Sequence, residues 1–124
     1  AYLTGCTRST DFPVSDDAYD KTFNGAGTES WAWGDPFLFV MNPEGTRIEY
    51  STYLGGSSDE EAYGIAMDPK GDIYICGVTS SDDFPTTEGA YDRTKNGNTN
   101  IYVAKFQFFD SLKRWPELKI NLLI

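Results

Sequence analysis

"RSTDFPVSDDAYDKTFNG", residues 8–25, and "SSDDFPTTEGAYDRTKNG", residues 80–97, are one polar, turn-rich sentence written twice, 72 residues apart. Ten of the 18 aligned positions are identical. The echo extends outward. "AYLTGCT" (1–7) aligns with "IYICGVT" (73–79), matching Tyr2 with Tyr74, Gly5 with Gly77 and Thr7 with Thr79. "DPFLFVMNPEG" (35–45) aligns loosely with "NIYVAKFQFFD" (100–110) at an offset of 65, so the first copy carries seven extra residues (72 − 65), within "AGTESWAWG" (26–34). An internal repeat of this size predicts supersecondary units that stack or radiate.

The segments between the copies read as strands. "FLFVM" (37–41) and "DIYICGV" (72–78) are nearly continuous apolar runs, as expected of strands covered on both faces. "AYGIAMD" (62–68) alternates small Ala62, Gly64 and Ala66 with larger Tyr63, Ile65 and Met67. "RIEYSTYL" (47–54) alternates too, which suits an outer strand in partial contact with solvent. "NPEG" (42–45) and "DPKG" (68–71) have type I turn chemistry: a capping Asn or Asp, a Pro with preset φ, and Gly fourth. Each turn predicts a hairpin, and Pro43 and Pro69 exclude a helix through either segment.

The hairpin 62–79, the repeated loop and a third strand at 101–106 make most of a four-stranded antiparallel sheet. Such a sheet, repeated, is the blade of a β-propeller. The predicted fold is therefore all-β, with about two four-stranded propeller-like blades and an incomplete propeller. Residues 1–56 form the first blade, lacking its innermost strand. Residues 57–124 form the second, with an atypical end.

Residues 50–92 resemble the β-propeller repeat called SBBP. The motifs that carry the likeness are Tyr53-Leu54-Gly55-Gly56, Ala62-Tyr63-Gly64-Ile65-Ala66, Gly71, Gly77, Thr79-Ser80, Asp83-Phe84-Pro85-Thr86-Thr87 and Gly89-Ala90-Tyr91-Asp92. Partial copies lie at 1–25 and 35–56. The resemblance implies a propeller blade within a secreted or surface protein, and it transfers no catalytic residue. Two stretches depart from the pattern. The Trp-containing insertion at 26–34 is atypical, and "QFFDSLKRWPELKINLLI" (107–124) lacks the Tyr-Ser-Thr-Tyr-Leu-Gly-Gly strand, with "LKINLLI" as a substitute outer strand or an altered terminus.

Composition narrows function. Apolar residues are 40% and aromatics 15% of the 124, enough for a globular chain. A net charge of −9 without a large basic cluster argues against nucleic acid as a partner. The absence of histidine removes Ser-His and Cys-His catalysis and histidine-ligated metals. Cys6 and Cys76 fit no CxxC spacing and read as buried free thiols more readily than as a disulfide. No apolar run reaches the roughly 20 residues that span a bilayer. The chain starts at Ala1 and no signal peptide is read in it, as in a mature product, an excised domain or a fragment.

Within the repeated loop, Phe12 and Phe84 are expected to tuck their rings beneath it. Tyr19 and Tyr91 pack on the blade edge with hydroxyls on backbone partners, and Asp11, Asp83, Asp20 and Asp92 cap turns. Asn24-Gly25 and Asn96-Gly97 supply turns tolerant of positive φ. Asp59-Glu60-Glu61 reads as a solvated crossing loop. The carboxylates do not match a known calcium-loop spacing, so neither metal nor cofactor is expected. Trp31 and Trp33 are the candidate ligand-binding residues, since residues two apart in an extended segment face the same way and form one aromatic platform.

The functional expectation is a non-catalytic structural or interaction module of a surface or secreted protein. Its partners are neighbouring blades or other copies of itself, and it is not an enzyme. The alternatives are a carbohydrate- or ligand-binding module using Trp31 and Trp33, and a fragment of a propeller enzyme.

Overall fold

A computed structural model describes residues 1–25, 32–108 and, as a strand without side-chain detail, 116–123. Its strands are β1 (Tyr2–Thr7), β2 (Asp35–Met41), β3 (Ile48–Tyr53), β4 (Glu60–Met67), β5 (Ile73–Thr79), β6 (Asn100–Phe108) and β7 (Pro116–Leu123). They form a three-stranded sheet, β1-β2-β3, and a four-stranded sheet, β4-β5-β6-β7, with every pairing antiparallel. Among the described residues there is no helix. The fold is all-β and propeller-like, an incomplete propeller with no closed barrel.

The hairpin turns have the chemistry their sequences predict. Gly45 N–H donates to Asn42 O and Gly71 N–H to Asp68 O, each at 3.0 Å. The Asn42 side-chain carbonyl accepts from the Thr46 and Arg47 amides, and the Asp68 carboxylate from the Lys70 and Asp72 amides. Gly45 and Gly71 have φ of 71° and 88°. In that region a Cβ costs roughly 1–2 kcal/mol, so glycine closes both turns.

The two sheets share one internal geometry. Phe12 stacks on Phe37 of β2, with ring centroids 4.7 Å apart and planes tilted 36°. Phe84 stacks on Tyr102 of β6 at 4.7 Å and 34°. Phe37 and Tyr102 are repeat equivalents (37 + 65 = 102). Each sheet thus has a loop-bearing face, on which the repeated loop lays its Phe, and an opposite bare face. Register assigns the residues, since directly paired residues share a face. The first sheet's bare face carries Thr4, Cys6, Leu38, Val40 and Tyr50, and its loop-bearing face Leu3, Gly5, Phe37 and Phe39.

The core is the joint between the sheets. Leu38, Val40, Tyr50 and Leu54 pack against Ile73, Ile75, Tyr102, Ala104 and Phe106, and all are buried. The bare face of the first sheet therefore meets the loop-bearing face of the second. Tyr50 crosses the joint to Phe106 and Phe108, edge-on at 6.4 and 5.6 Å. Each such side chain contributes about 1.5–3 kcal/mol by leaving water.

Several details correct the sequence-based expectations. β2 and β5 each bury one face completely and the other only in part, because each sheet has a neighbour on one side. For the same reason Cys76, on the bare face of the second sheet, is exposed rather than buried; Cys6 is half-buried, and both thiols are free. β4 does not keep its small residues on one face. Tyr63 is an extra residue in a bulge, so Ala62 pairs with Gly77 and Gly64 with Cys76, and Ala62 and Ile65 both turn to the core. Gly25 and Gly97 have no positive φ. Gly25 is needed for space instead: a Cβ there would lie 2.7 Å from the Asp35 carboxylate.

β3 is buried from Tyr50 to Tyr53 rather than half solvated. The first repeated loop lies along its free edge. Ser15 N–H donates to Ser51 O, Tyr53 N–H to Asp20 O, and Tyr53 Oη to Ser9 O. Tyr50 Oη accepts the Tyr19 amide at 3.1 Å, so the backbone of Tyr19, not its hydroxyl, makes the contact expected there. β7 has no Tyr-Ser-Thr-Tyr sequence to receive the second loop in this way, and Tyr91 is 88% exposed.

Gly77 offers a direct check on the β4–β5 register. A Cβ there would stand 1.8 Å from Glu61 O and 2.9 Å from Tyr102 Oη. Gly77→Ala is expected to lower the urea unfolding free energy by about 1–3 kcal/mol, the usual cost of overpacking. Gly71→Asn, in open space but at a φ of 88° that a side chain adopts only under strain, is expected to cost no more than about 1 kcal/mol, the backbone strain alone.

Candidate functional site

The two repeated loops face each other across the joint. Between them opens a cleft of about 460 Å³. Its walls are Tyr19, Asp20 and Asn24 from the first copy and Asp83 and Pro85 from the second, with Gly55, Gly56 and Ser57 between. The loops are held by parallel networks. Asp20 accepts the Thr22 amide and the Asn24 side-chain amide; Asp92 accepts the Thr94 amide and the Asn96 side-chain amide. Asp83 accepts the Ser57 amide and hydroxyl at 2.8 and 2.9 Å, and these hydrogen bonds hold its carboxyl below the usual range. Asp20 and Asp92 thus cap their turns as expected, Asp11 accepts the Ser9 hydroxyl, and Asp83 ties its loop to the connection between the sheets.

Behind the glycine wall lie two buried carboxyls, Asp35 at the start of β2 and Glu60 at the start of β4. A Cβ built on Gly55 would be 3.0 Å from both Asp35 Oδ1 and Glu60 Oε2. The two sheets thus bring one carboxyl each to a single point, and only glycine fits between. Glu60 Oε1 accepts the Thr79 hydroxyl at 2.6 Å and also the Ser81 hydroxyl, while Oε2 accepts the Gly56 amide at 3.1 Å. Asp35 Oδ2 accepts the Asn24 amide at 2.7 Å, whereas Oδ1 is buried without a hydrogen-bond partner.

Burial pushes the Asp35 carboxyl up to about 7, against the Asn24 amide, with the charges of Glu60 and Asp20 adding to the rise. Glu60 is raised too, chiefly by burial, with the Ser81 and Thr79 hydroxyls and the Gly56 amide opposing. Asp35 can therefore gain or lose a proton near neutral pH. Neither carboxyl lines the cleft, however, so a molecule in the cleft meets the glycine backbone first. Among the described residues no group of three or more His, Cys, Asp or Glu stands close enough to hold a metal ion.

Glu60 corrects the expectation of a solvated Asp59-Glu60-Glu61 loop. It lies within β4, paired with Thr79, and is fully buried. Asp35 was not singled out by sequence at all. Its signal was indirect: Gly25 and Gly55 are small because its carboxylate occupies the space beside them. Trp33 is 60% exposed and does not line the cleft; Trp31 lies outside the described residues, and with it the geometry of the aromatic platform.

The raised carboxyls give stability a definite pH dependence. Folding raises the Asp35 pKa from 3.8 to about 7, so the folded state binds the proton more tightly. That contribution is complete below about pH 4 and is lost as pH rises through 7, by at most about 1.4 kcal/mol per unit. Urea midpoints of wild type are expected to fall between pH 4 and 7. Asp35→Asn, which keeps an acceptor for the Asn24 amide, is expected to flatten most of the fall and leave the smaller part due to Glu60. An unchanged slope in that variant would show that Asp35 titrates normally.

The model of the family described as a β-propeller repeat, SBBP, matches residues 49–85. No curated protein matches the chain, and no solved structure does. The matched span begins in β3 of the first sheet, crosses Gly55-Gly56 and Glu60, and runs through β4 and β5 to the Phe84-Pro85 start of the second loop. One sequence repeat therefore includes the last strand of one sheet and the first two of the next, with the joint-forming connection between them. Residues 49–85 of this chain are similar to one SBBP β-propeller repeat.

Proposed function

We propose that this chain is a non-catalytic structural and interaction module of a surface or secreted protein, working through the faces of its sheets. The observation that carries the proposal is the one-sided burial of β2 and β5. One face of each sheet makes the internal joint. The other presents apolar residues to solvent, among them Leu3 at 46% and Ile101 at 50% exposure. Apolar sheet faces of this kind are where partners dock. The position of Asp35 and Glu60 behind the glycine wall also favours a structural role, since an acid–base pair must reach its substrate.

A second reading, a carbohydrate-binding module, is favoured by the exposed indole of Trp33. Binding on a glycan array that disappears in Trp33→Ala would replace the first reading with this one.

Repeat-equivalent substitutions test whether the open face is available to a partner. Leu38 and Val103 occupy matching places on the two bare faces (38 + 65 = 103), and only Leu38 is in the joint. Leu38→Ala is expected to cost about 2–5 kcal/mol. Val103→Ala is expected to cost less than about 1 kcal/mol, since its site is only partly covered. An equally large loss at Val103 would make that face part of the chain's own core and sink the proposal.

A further inference from the structure

The joint inside this chain is made by one bare face and one loop-bearing face, and its two ends are the other member of each kind. The first sheet leaves its loop-bearing face open, and the second leaves its bare face open. We infer that a second copy of this chain is the partner that covers them, docking head to tail so that the bare face of one copy's second sheet meets the loop-bearing face of the next copy's first sheet. This rests on the reading of the sheet faces as the working surfaces and names their occupant.

The repeat equivalences make the inference specific. On the loop-bearing side, Tyr102, Ile75 and Phe84 make the internal joint; their equivalents at the open end are Phe37, Leu3 and Phe12. On the bare side, Leu38 makes the joint, and Val103 takes its place at the open end. Apolar residues stand for apolar residues at each of these places. At these places the open ends repeat the apolar character of the internal joint, which is continuity with a joint already present.

Among the described residues one equivalence differs, and it sets the strength. Val40, buried in the internal joint, is replaced on the open bare face by Lys105 (40 + 65 = 105). Its ammonium is 2.7 Å from the Asp72 carboxylate and lies over the Tyr74 ring at 5.2 Å. Hydrogen bonding to Asp72 and Tyr74 raises Lys105 above its ordinary pKa and, in turn, lowers Asp72, so both groups are charged throughout the neutral range. Covering this ion pair costs desolvation that Val40 does not. The joint between copies is thus weaker than the internal one, and association is concentration-dependent. A heterologous joint of this kind either closes a ring or continues as an open array.

The test uses the whole chain and two single variants, Leu3→Asp on the loop-bearing end and Ile101→Asp on the bare end. Both sites are exposed, and unchanged urea midpoints confirm that both variants fold. Sedimentation velocity of wild type is expected to show mass rising with concentration. Each variant alone is expected to remain a single chain, since every head-to-tail joint needs one good face of each kind. An equimolar mixture is expected to recover a two-chain species, because the intact bare end of Leu3→Asp meets the intact loop-bearing end of Ile101→Asp. Wild type that stays monomeric at every concentration overturns the inference, as does a variant that still associates alone or a mixture that does not recover. A monomeric wild type with the expected Leu38 and Val103 difference leaves the sheet-face reading standing and removes only the second copy as occupant.

Discussion

Everything in this molecule depends on the seam where Leu38, Val40 and Tyr50 meet Ile75, Tyr102 and Phe106. Neither sheet has a core of its own. The three-stranded sheet has only a loop against its other face, and isolated sheets of this size are marginal in water. Stacking bare face on loop-bearing face solves the problem once. The bulge in β4 turns Ala62 and Ile65 to that seam, and Gly55 leaves room there for Asp35 and Glu60.

The repeated loop serves the seam in two ways. Its Phe completes the loop-bearing face, so that Phe84 is part of the core while Phe12 lies on the equivalent face that the chain leaves open. Its backbone also closes the edge of β3, whose hydrogen-bonding groups would otherwise face water. In the second copy Phe84 performs the first service. The chain has no Tyr-Ser-Thr-Tyr sequence after the second loop, and Tyr91 is 88% exposed.

The carboxyl pair shows how a seam can carry polar groups. Asp35 and Glu60 come from different sheets and are covered completely. Hydroxyls and amides satisfy Glu60, whereas one oxygen of Asp35 is left without a partner, and burial holds a proton there at ordinary acidity. Two like charges brought this close are tolerated because one of them is neutral over much of the pH range. The pair therefore makes the seam sensitive to pH without placing either acid in the cleft.

Sequence by itself determined the strands, the hairpin turns, the repeat and the stacking of the two loop phenylalanines. Those follow from local rules: Asn-Pro-x-Gly and Asp-Pro-x-Gly fix turns within four residues, and the same side chains at the same offsets recreate the same contacts. It did not reveal the burial of Glu60 within an acidic run, the role of Asp35, the bulge at Tyr63 or the exposure of Cys76. Each of these depends on which sheet face has a neighbour and on the register across the seam. Those are properties of residues far apart in the chain, and only the tertiary structure decides them.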